Sequence, residues 1–232
     1  MARREKEFLV IGLGRFGGGL ADTLMSLGHE VLGVDNDAKL VQAFRDRLTH
    51  VVEADSTDVE ALRQIGTGDF GTAVVAIGTD IEASILTTSA LVDLGVRRIV
   101  AKAVTEPHGK ILERVGASKV IFPERDMGVR VGHSLAGSII DYIQLDPGFA
   151  LVETVAPAEL VGSSLGAAQV RQRYGITVVC IKPRGGTFTY ATPDTVVSEG
   201  DILVVAGETD RAEASSRMDL TGKSASSRQA II

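Results

Sequence analysis

The segment FLVIGLGRFGGGLADTLMSLG, from Phe8 to Gly28, restricts the possible folds of this chain more than any other feature. An apolar run suited to a buried strand breaks into glycines at Gly12, Gly14 and Gly17. A helical pattern then follows on Phe16, Leu20, Leu24 and Leu27, and Gly28 closes it. Strand, glycine turn and helix in that order make a cradle for phosphate. Gly12 permits the tight turn, Gly14 lets the backbone approach an anion, and Gly17 lets the helix pack close to the sheet. The helix N-terminus adds a partial positive charge and free N–H donors.

The pattern then repeats. FLVIGL, EVLGVD, HVVEAD, TAVVAIG, RRIVAKA and KVIFP are short β-rich runs, and five amphipathic helical stretches separate them before Pro123. One of these helices opens on Thr57 and Glu60, spaced as a capping box. Six strands alternating with five helices predict an α/β domain with a Rossmann-like, doubly wound parallel sheet. Such a sheet binds its ligand beyond the carboxyl ends of the strands. Asp35 ends the second strand, where it would accept hydrogen bonds from both ribose hydroxyls and repel a 2′-phosphate. No arginine follows in DNDAKL, which disfavours NADP, and the features taken together point to an adenine nucleotide without a 2′-phosphate. Asp55-Ser56 and Gly78-Thr79-Asp80 follow the third and fourth strands; the acids there either cap helices or face the ligand, and the two roles are compatible. Arg15, inside the glycine loop, is either an exposed arginine or a bidentate ligand for further phosphate oxygens.

After Pro123 the style changes. ERDMGVRVGHSLAGSIIDYIQL reads as one long helix, about residues 124–144, ending before Asp146-Pro147-Gly148, which reads as a domain boundary. The predicted organisation is a nucleotide-binding domain over 1–146, a small α+β domain over 147–211, and a flexible Ser-rich tail over 212–232. The single Cys180, within ITVVCIKP, reads as a small core residue and excludes an intramolecular disulfide, which fits a reducing cytoplasm.

Composition narrows the function. Twenty-four basic against thirty acidic residues give a net charge of -6, which disfavours nucleic acid or an anionic membrane surface as the main partner. The N-terminus lacks the apolar stretch of a signal peptide, and no uncharged apolar run approaches the ~20 residues that span a bilayer. A nicotinamide-dependent oxidoreductase needs a second domain bearing a proton donor. The region after Pro147 is too small for that and contains no histidine, the four being His29, His50, His108 and His133. No GxxxxGK[ST] loop is present for phosphate cleavage. His108 and His133 read as packing or surface residues.

GLGRFG, VDND, EADSTD, VAKA and FPERDMG, with LVGSSLGAAQVRQRYGITVVCIKPRGG and TVVSEGDILVVAGE further on, resemble the cytosolic RCK (KTN) regulatory subunits of bacterial potassium uptake systems, the Ktr/Trk A-type proteins. The resemblance runs from about Phe8 to Glu208. It implies a non-enzymatic gating-ring subunit that binds ATP, ADP or NAD(H). Such subunits form homodimers, commonly assembled into octameric rings, docked on the cytoplasmic face of a membrane-embedded potassium-transporting partner. The resemblance places Gly12, Gly14 and Gly17 at the phosphates and gives Arg15 a terminal phosphate, with the neighbouring subunit's nucleotide an option. Asp35 falls at the ribose, Asp55 and Ser56 at the adenine and Lys102 near the phosphates, and Phe16, Asn36, Gly78 and Thr79 count among the nucleotide-binding residues. Glu124 matches an acid that in some members holds a divalent cation, Mg2+ or Ca2+; a helix N-terminal acid is the alternative. The apolar positions Val129, Leu135, Ile139, Ile140 and Ile143 would face another subunit or their own sheet. Arg171 and Ile176 fall on positions that bind cyclic di-AMP in several members, whereas Thr177 stands where the clearest binders carry asparagine. Control of a cation/proton antiporter or a potassium efflux channel fits the same residues.

Overall fold

The computed structural model describes residues 7–135 and 139–216, which divide into two compact units between Arg125 and Asp126. The first unit follows the predicted alternation: β1 (Glu7–Ile11), α1 (Arg15–Ser26), β2 (Glu30–Asp35), α2 (Ala38–Phe44), β3 (His50–Glu53) and α3 (Val59–Gln64). Then come β4 (Thr72–Val75), α4 (Ile81–Asp93), β5 (Arg98–Lys102), α5 (Glu106–Val115) and β6 (Lys119–Ile121). The strands pair in parallel in the order β3-β2-β1-β4-β5-β6, so the order reverses between β1 and β4. That reversal opens a crevice at the carboxyl edge of the sheet.

Continuous apolar strands fit this sheet because both of its faces are covered. On β1, Leu9, Val10 and Ile11 are all buried. Leu9 and Ile11 pack with Leu62, Leu91 and Leu112 from α3, α4 and α5, while Val10 packs with Ala21 and Phe44 from α1 and α2. Each such side chain contributes about 1.5–3 kcal/mol through burial. The start of α3 departs from expectation. Its cap is Asp58, which accepts from the N–H groups of Glu60 (2.8 Å) and Ala61 (3.3 Å), so the Thr57–Glu60 capping box does not form. Thr57 instead donates its N–H and hydroxyl to Asp55.

The segment after Pro123 corrects the sequence reading. A helix α6 (Pro123–Leu135) ends well short of residue 144, and Ile139–Asp146 is a strand, β7. Asp146-Pro147-Gly148 is not a linker. It turns β7 back onto β8 (Phe149–Val155), with Asp146 opposite Phe149 and Gly148 at φ +91°. The apolar spacing of IIDYIQL fits a helix as well as a strand. Pairing with β8 decides the matter, placing Ile139 and Tyr142 in the core and Ile140 and Ile143 outside. The boundary therefore lies near Arg125, not at 146/147.

The second unit continues with α7 (Val170–Tyr174), β9 (Ile176–Lys182), β10 (Thr189–Tyr190), β11 (Ile202–Glu208) and α8 (Thr209–Ser216), its sheet ordered β10-β9-β11-β8-β7 and antiparallel. Helix α8 overlaps the predicted tail: Ala212 and Ser215 are buried, because its apolar face closes over the sheet. The rest of that tail lies outside the described residues. Cys180 is only partly buried, since it sits on β9 opposite Tyr190 of the short edge strand.

Gly17 tests the packing at the start of α1. A methyl group there would lie 1.8 Å from the Gly12 carbonyl oxygen and 2.9 Å from Ala76 Cβ. Gly17→Ala gains about 1 kcal/mol of helix propensity, but the contact is with backbone and cannot be relieved by a rotamer. The urea unfolding midpoint is expected to fall, by the equivalent of about 2 kcal/mol or more. A raised midpoint would contradict the close approach.

Candidate functional site

A cavity of about 740 Å³ lies at the carboxyl ends of the strands of the first unit. The glycine loop forms its floor. Gly12 has φ +92° and donates its N–H to the Val34 carbonyl (2.8 Å). The next N–H, from Leu13, donates to Asp35 Oδ2 at 2.6 Å, and Asp37 N–H donates to Asp35 Oδ1 at 2.9 Å. One carboxylate thus ties the loop after β1 to the end of β2. Gly14 follows in extended conformation as the N-cap of α1, with no atom within 4 Å of where a Cβ would stand. The first turn of α1 has no acidic residue, so its N–H groups and dipole meet the cavity uncompensated by the helix's own side chains.

The cavity is charged in an ordered way. Arg15, Phe16 and Lys102 line it beside the glycine loop. Lys102 is 8% exposed, lies 5.9 Å from the centre of the Phe16 ring, and donates to Glu124 Oε1 at 2.5 Å. That bond holds the Glu124 carboxyl below its ordinary range; partial burial opposes it, and the Arg15 charge adds to the lowering. On the β2 and β3 side stand Asp35, Asn36, Asp37, Asp55 and Ser56. Asp55 is held below the ordinary carboxylate range by the Thr57 hydroxyl and then by its N–H. Gly78, Thr79 and Asp80 follow β4, and Asp80 accepts the Ala83 N–H (2.9 Å) as the cap of α4. The cations and helix dipole, with Glu124 paired to Lys102, thus sit beside the glycine loop, and Asp35, Asp37, Asp55 and the Ser56 hydroxyl stand on the β2 and β3 side.

Of the residues singled out in the first domain, Gly12, Gly14, Arg15, Phe16, Asp35, Asn36, Asp55, Ser56, Gly78, Thr79, Lys102 and Glu124 come together around this cavity. Gly17 does not line it and acts from beneath, through the close contact with Gly12. Ile11, Val34, Asp37, Leu40, Ala76, Ile77, Ala83 and Val104 also line it. Most lie at or just beyond a strand end, where adjacency to the motifs was the available signal, whereas Leu40 and Ala83 come from the first turns of α2 and α4. Among the described residues no group of three or more His, Cys, Asp or Glu side chains converges to hold a metal. In the second unit, Arg171, Ile176 and Thr177 share a separate cavity of about 340 Å³ with Gln169 and Pro193. Gln169 is held there in the left-handed region at φ 49°.

Residues 8–123 match the TrkA-N domain and residues 149–218 the TrkA-C domain. The chain is 40% identical over 204 residues to the Ktr system potassium uptake protein C of Bacillus subtilis, covering 88% of this chain and 92% of that one. It is 32% identical over 214 residues to the Ktr system potassium uptake protein A of Vibrio alginolyticus, covering 91% and 96%. Among solved structures, the GsuK RCK domain superposes with a TM-score of 0.65 at 20% identity, over 94% of this chain and 48% of that one. The GsuK channel bound to NAD gives 0.63 at 19%, over 89% and 38%. This chain spans less than half of each of those two chains. Among the described residues no helix is long and apolar enough to cross a membrane.

One buried group on α5 gives a pH-dependent handle. His108 of α5 is 2% exposed; its Nδ1 accepts the N–H of Val104 (3.4 Å), leaving the proton on Nε2, which is buried without a partner. Burial lowers its pKa from the ordinary value near 6.5. The depressed value means that the folded state binds the proton less readily than the unfolded one. Stability from this residue is therefore full above about pH 6.5 and lost as pH falls below it. Urea midpoints at pH 7.5 and 5.5 are expected to drop less in His108→Gln than in the wild type; equal drops would assign the acid sensitivity elsewhere.

Proposed function

The chain belongs to the family built from a TrkA-N domain followed by a TrkA-C domain, and on that premise we propose that it is a nucleotide-sensing, non-catalytic subunit of a potassium uptake system. The observation that carries this reading is the ordered polarity of the large cavity. A nucleotide of ATP, ADP or NAD(H) type has an anionic end and an end of hydroxyl and amino donors, and the cavity offers the complement of each. The glycine loop, the α1 N-terminus, Arg15 and Lys102 would hold phosphate. Asp35 would hold the ribose: each carboxylate oxygen has a second lone pair beyond the one used by Leu13 or Asp37. The NAD carried by the GsuK channel supports the same ligand class.

Binding without chemistry fits the lining. No histidine or cysteine is among these residues, and Asp35, Asp55 and Asp80 already accept backbone N–H groups. Function then lies in a population shift: nucleotides that differ in phosphate would favour different shapes of a homo-oligomeric ring. Moving such an equilibrium from mostly shut to mostly open takes about 5 kcal/mol, which several sites per ring can share. The exposed apolar residues of α6, Met127, Val129, Val131 and Leu135, suit pairing with a second copy. The ring would act on a membrane-embedded potassium-transporting partner from its cytoplasmic side. Within one chain the donor set does not fit a divalent cation, since Glu124 offers a single carboxylate already bonded to Lys102. Arg171 and Ile176 line the smaller cavity together, which supports cyclic di-AMP as a second ligand, with Arg171 for a phosphate and Ile176 for a base.

Gly14 gives a clean test, because its backbone suits any residue (φ -63°) and its Cβ position is open. Calorimetric titration with ATP, ADP and NADH should show Gly14→Ala binding at least about tenfold more weakly, since the methyl occupies the phosphate approach. Folding stability should change by less than about 1 kcal/mol. Unchanged affinity would contradict the cradle, and NADH oxidation with a range of carbonyl substrates would contradict the non-catalytic reading.

A further inference from the structure

The wall of the large cavity formed by Asp55 and Ser56 is fastened to a helix that the glycine motif does not include. Thr87, on α4, is fully buried, and its hydroxyl donates to the Ser56 carbonyl oxygen at 3.1 Å. The same Thr87 oxygen lies 2.8 Å from Ser56 Oγ. A threonine hydroxyl has one proton. With that proton on the Ser56 carbonyl, the shorter contact must be a donation from Ser56 Oγ–H to Thr87 Oγ1. The Ser56 proton is thereby turned inward. Ser56 lines the cavity, so what its oxygen offers there is lone pairs and no proton.

An oxygen restricted to accepting distinguishes two purines that differ at one position. An exocyclic amino group donates to it, whereas a ring carbonyl presents a second acceptor and leaves both unpaired. We propose that Thr87 is a positioning residue for base selectivity: its hydroxyl fixes the Ser56 proton inward and makes the site prefer a 6-amino over a 6-oxo purine. The inference rests on the nucleotide reading above: with phosphate at the glycine loop and ribose at Asp35, the base would reach the Asp55 and Ser56 wall of the cavity. Removing the Thr87 hydroxyl frees the Ser56 proton to rotate toward a carbonyl.

The test is calorimetric titration of ADP and IDP, which differ in the 6-substituent, into wild type, Thr87→Val and Thr87→Ser. Wild type should bind ADP more tightly, and the ADP-to-IDP affinity ratio should fall about tenfold in Thr87→Val, the order expected for one buried hydrogen bond. Thr87→Ser, which keeps the hydroxyl, should hold the ratio within about threefold of wild type. A merely structural role would weaken both ligands equally, so an unchanged ratio in Thr87→Val overturns the proposal. So does a wild type that binds ADP and IDP alike, which leaves the nucleotide reading standing. A wild type that binds neither ADP, ATP nor NADH removes that reading and the proposal with it. Thr87→Ala, also without the hydroxyl, supplies the same comparison should the valine variant not fold.

Discussion

The site depends on one hydrogen bond, from the Leu13 N–H to Asp35 Oδ2. It is charge-assisted and short, worth about 1.5–3 kcal/mol, and it joins two strand ends that are neighbours in the sheet. With the Gly12 N–H on the Val34 carbonyl, it sets the path of the glycine loop and therefore the point at which α1 begins. The absence of side chains at Gly12 and Gly17 lets loop and helix close on each other, leaving Gly14 facing open space. The carboxylate proposed for the ribose is thus also the brace that sets the glycine loop, so substituting Asp35 would disturb both parts of the site together, whereas Gly14 lies clear of that brace.

Much of the first unit was legible because its signals are local. A parallel strand buried on both faces must read as a short apolar run, and the turn at Gly12 and the contact at Gly17 demand glycine. The strand order then brings Asp35, Asp55, Thr79 and Lys102 to one edge, so a motif reading located most of the cavity wall. The failures came where a long-range partner decides. IIDYIQL has the spacing of a helix and the β-branched and aromatic residues of a strand, and only pairing with Phe149–Val155 settles it. The same pairing turns Asp146-Pro147-Gly148 from an apparent linker into a hairpin turn. Ala212 and Ser215 looked like tail because the sheet that buries them lies far away in sequence. Thr87 carried no motif at all, since its role is visible only once α4 packs beside the loop after β3.

The electrostatics bear on what the crevice does once filled. Lys102 is nearly buried yet paired with an exposed Glu124, and Arg15 adds to the field on that carboxylate. On the proposed reading, an arriving phosphate would compete with Glu124 for the same cations, and ligands that differ in phosphate number would differ in how far they free that carboxylate.

The central claim is that this crevice holds an adenine nucleotide and returns it unchanged. Equilibrium dialysis with labelled ATP, followed by chromatography of the retained fraction after prolonged incubation, measures both halves at once. The account predicts saturable retention at one nucleotide per chain, recovered as intact ATP. No retention, or recovery of the bound label as ADP and phosphate, would contradict it.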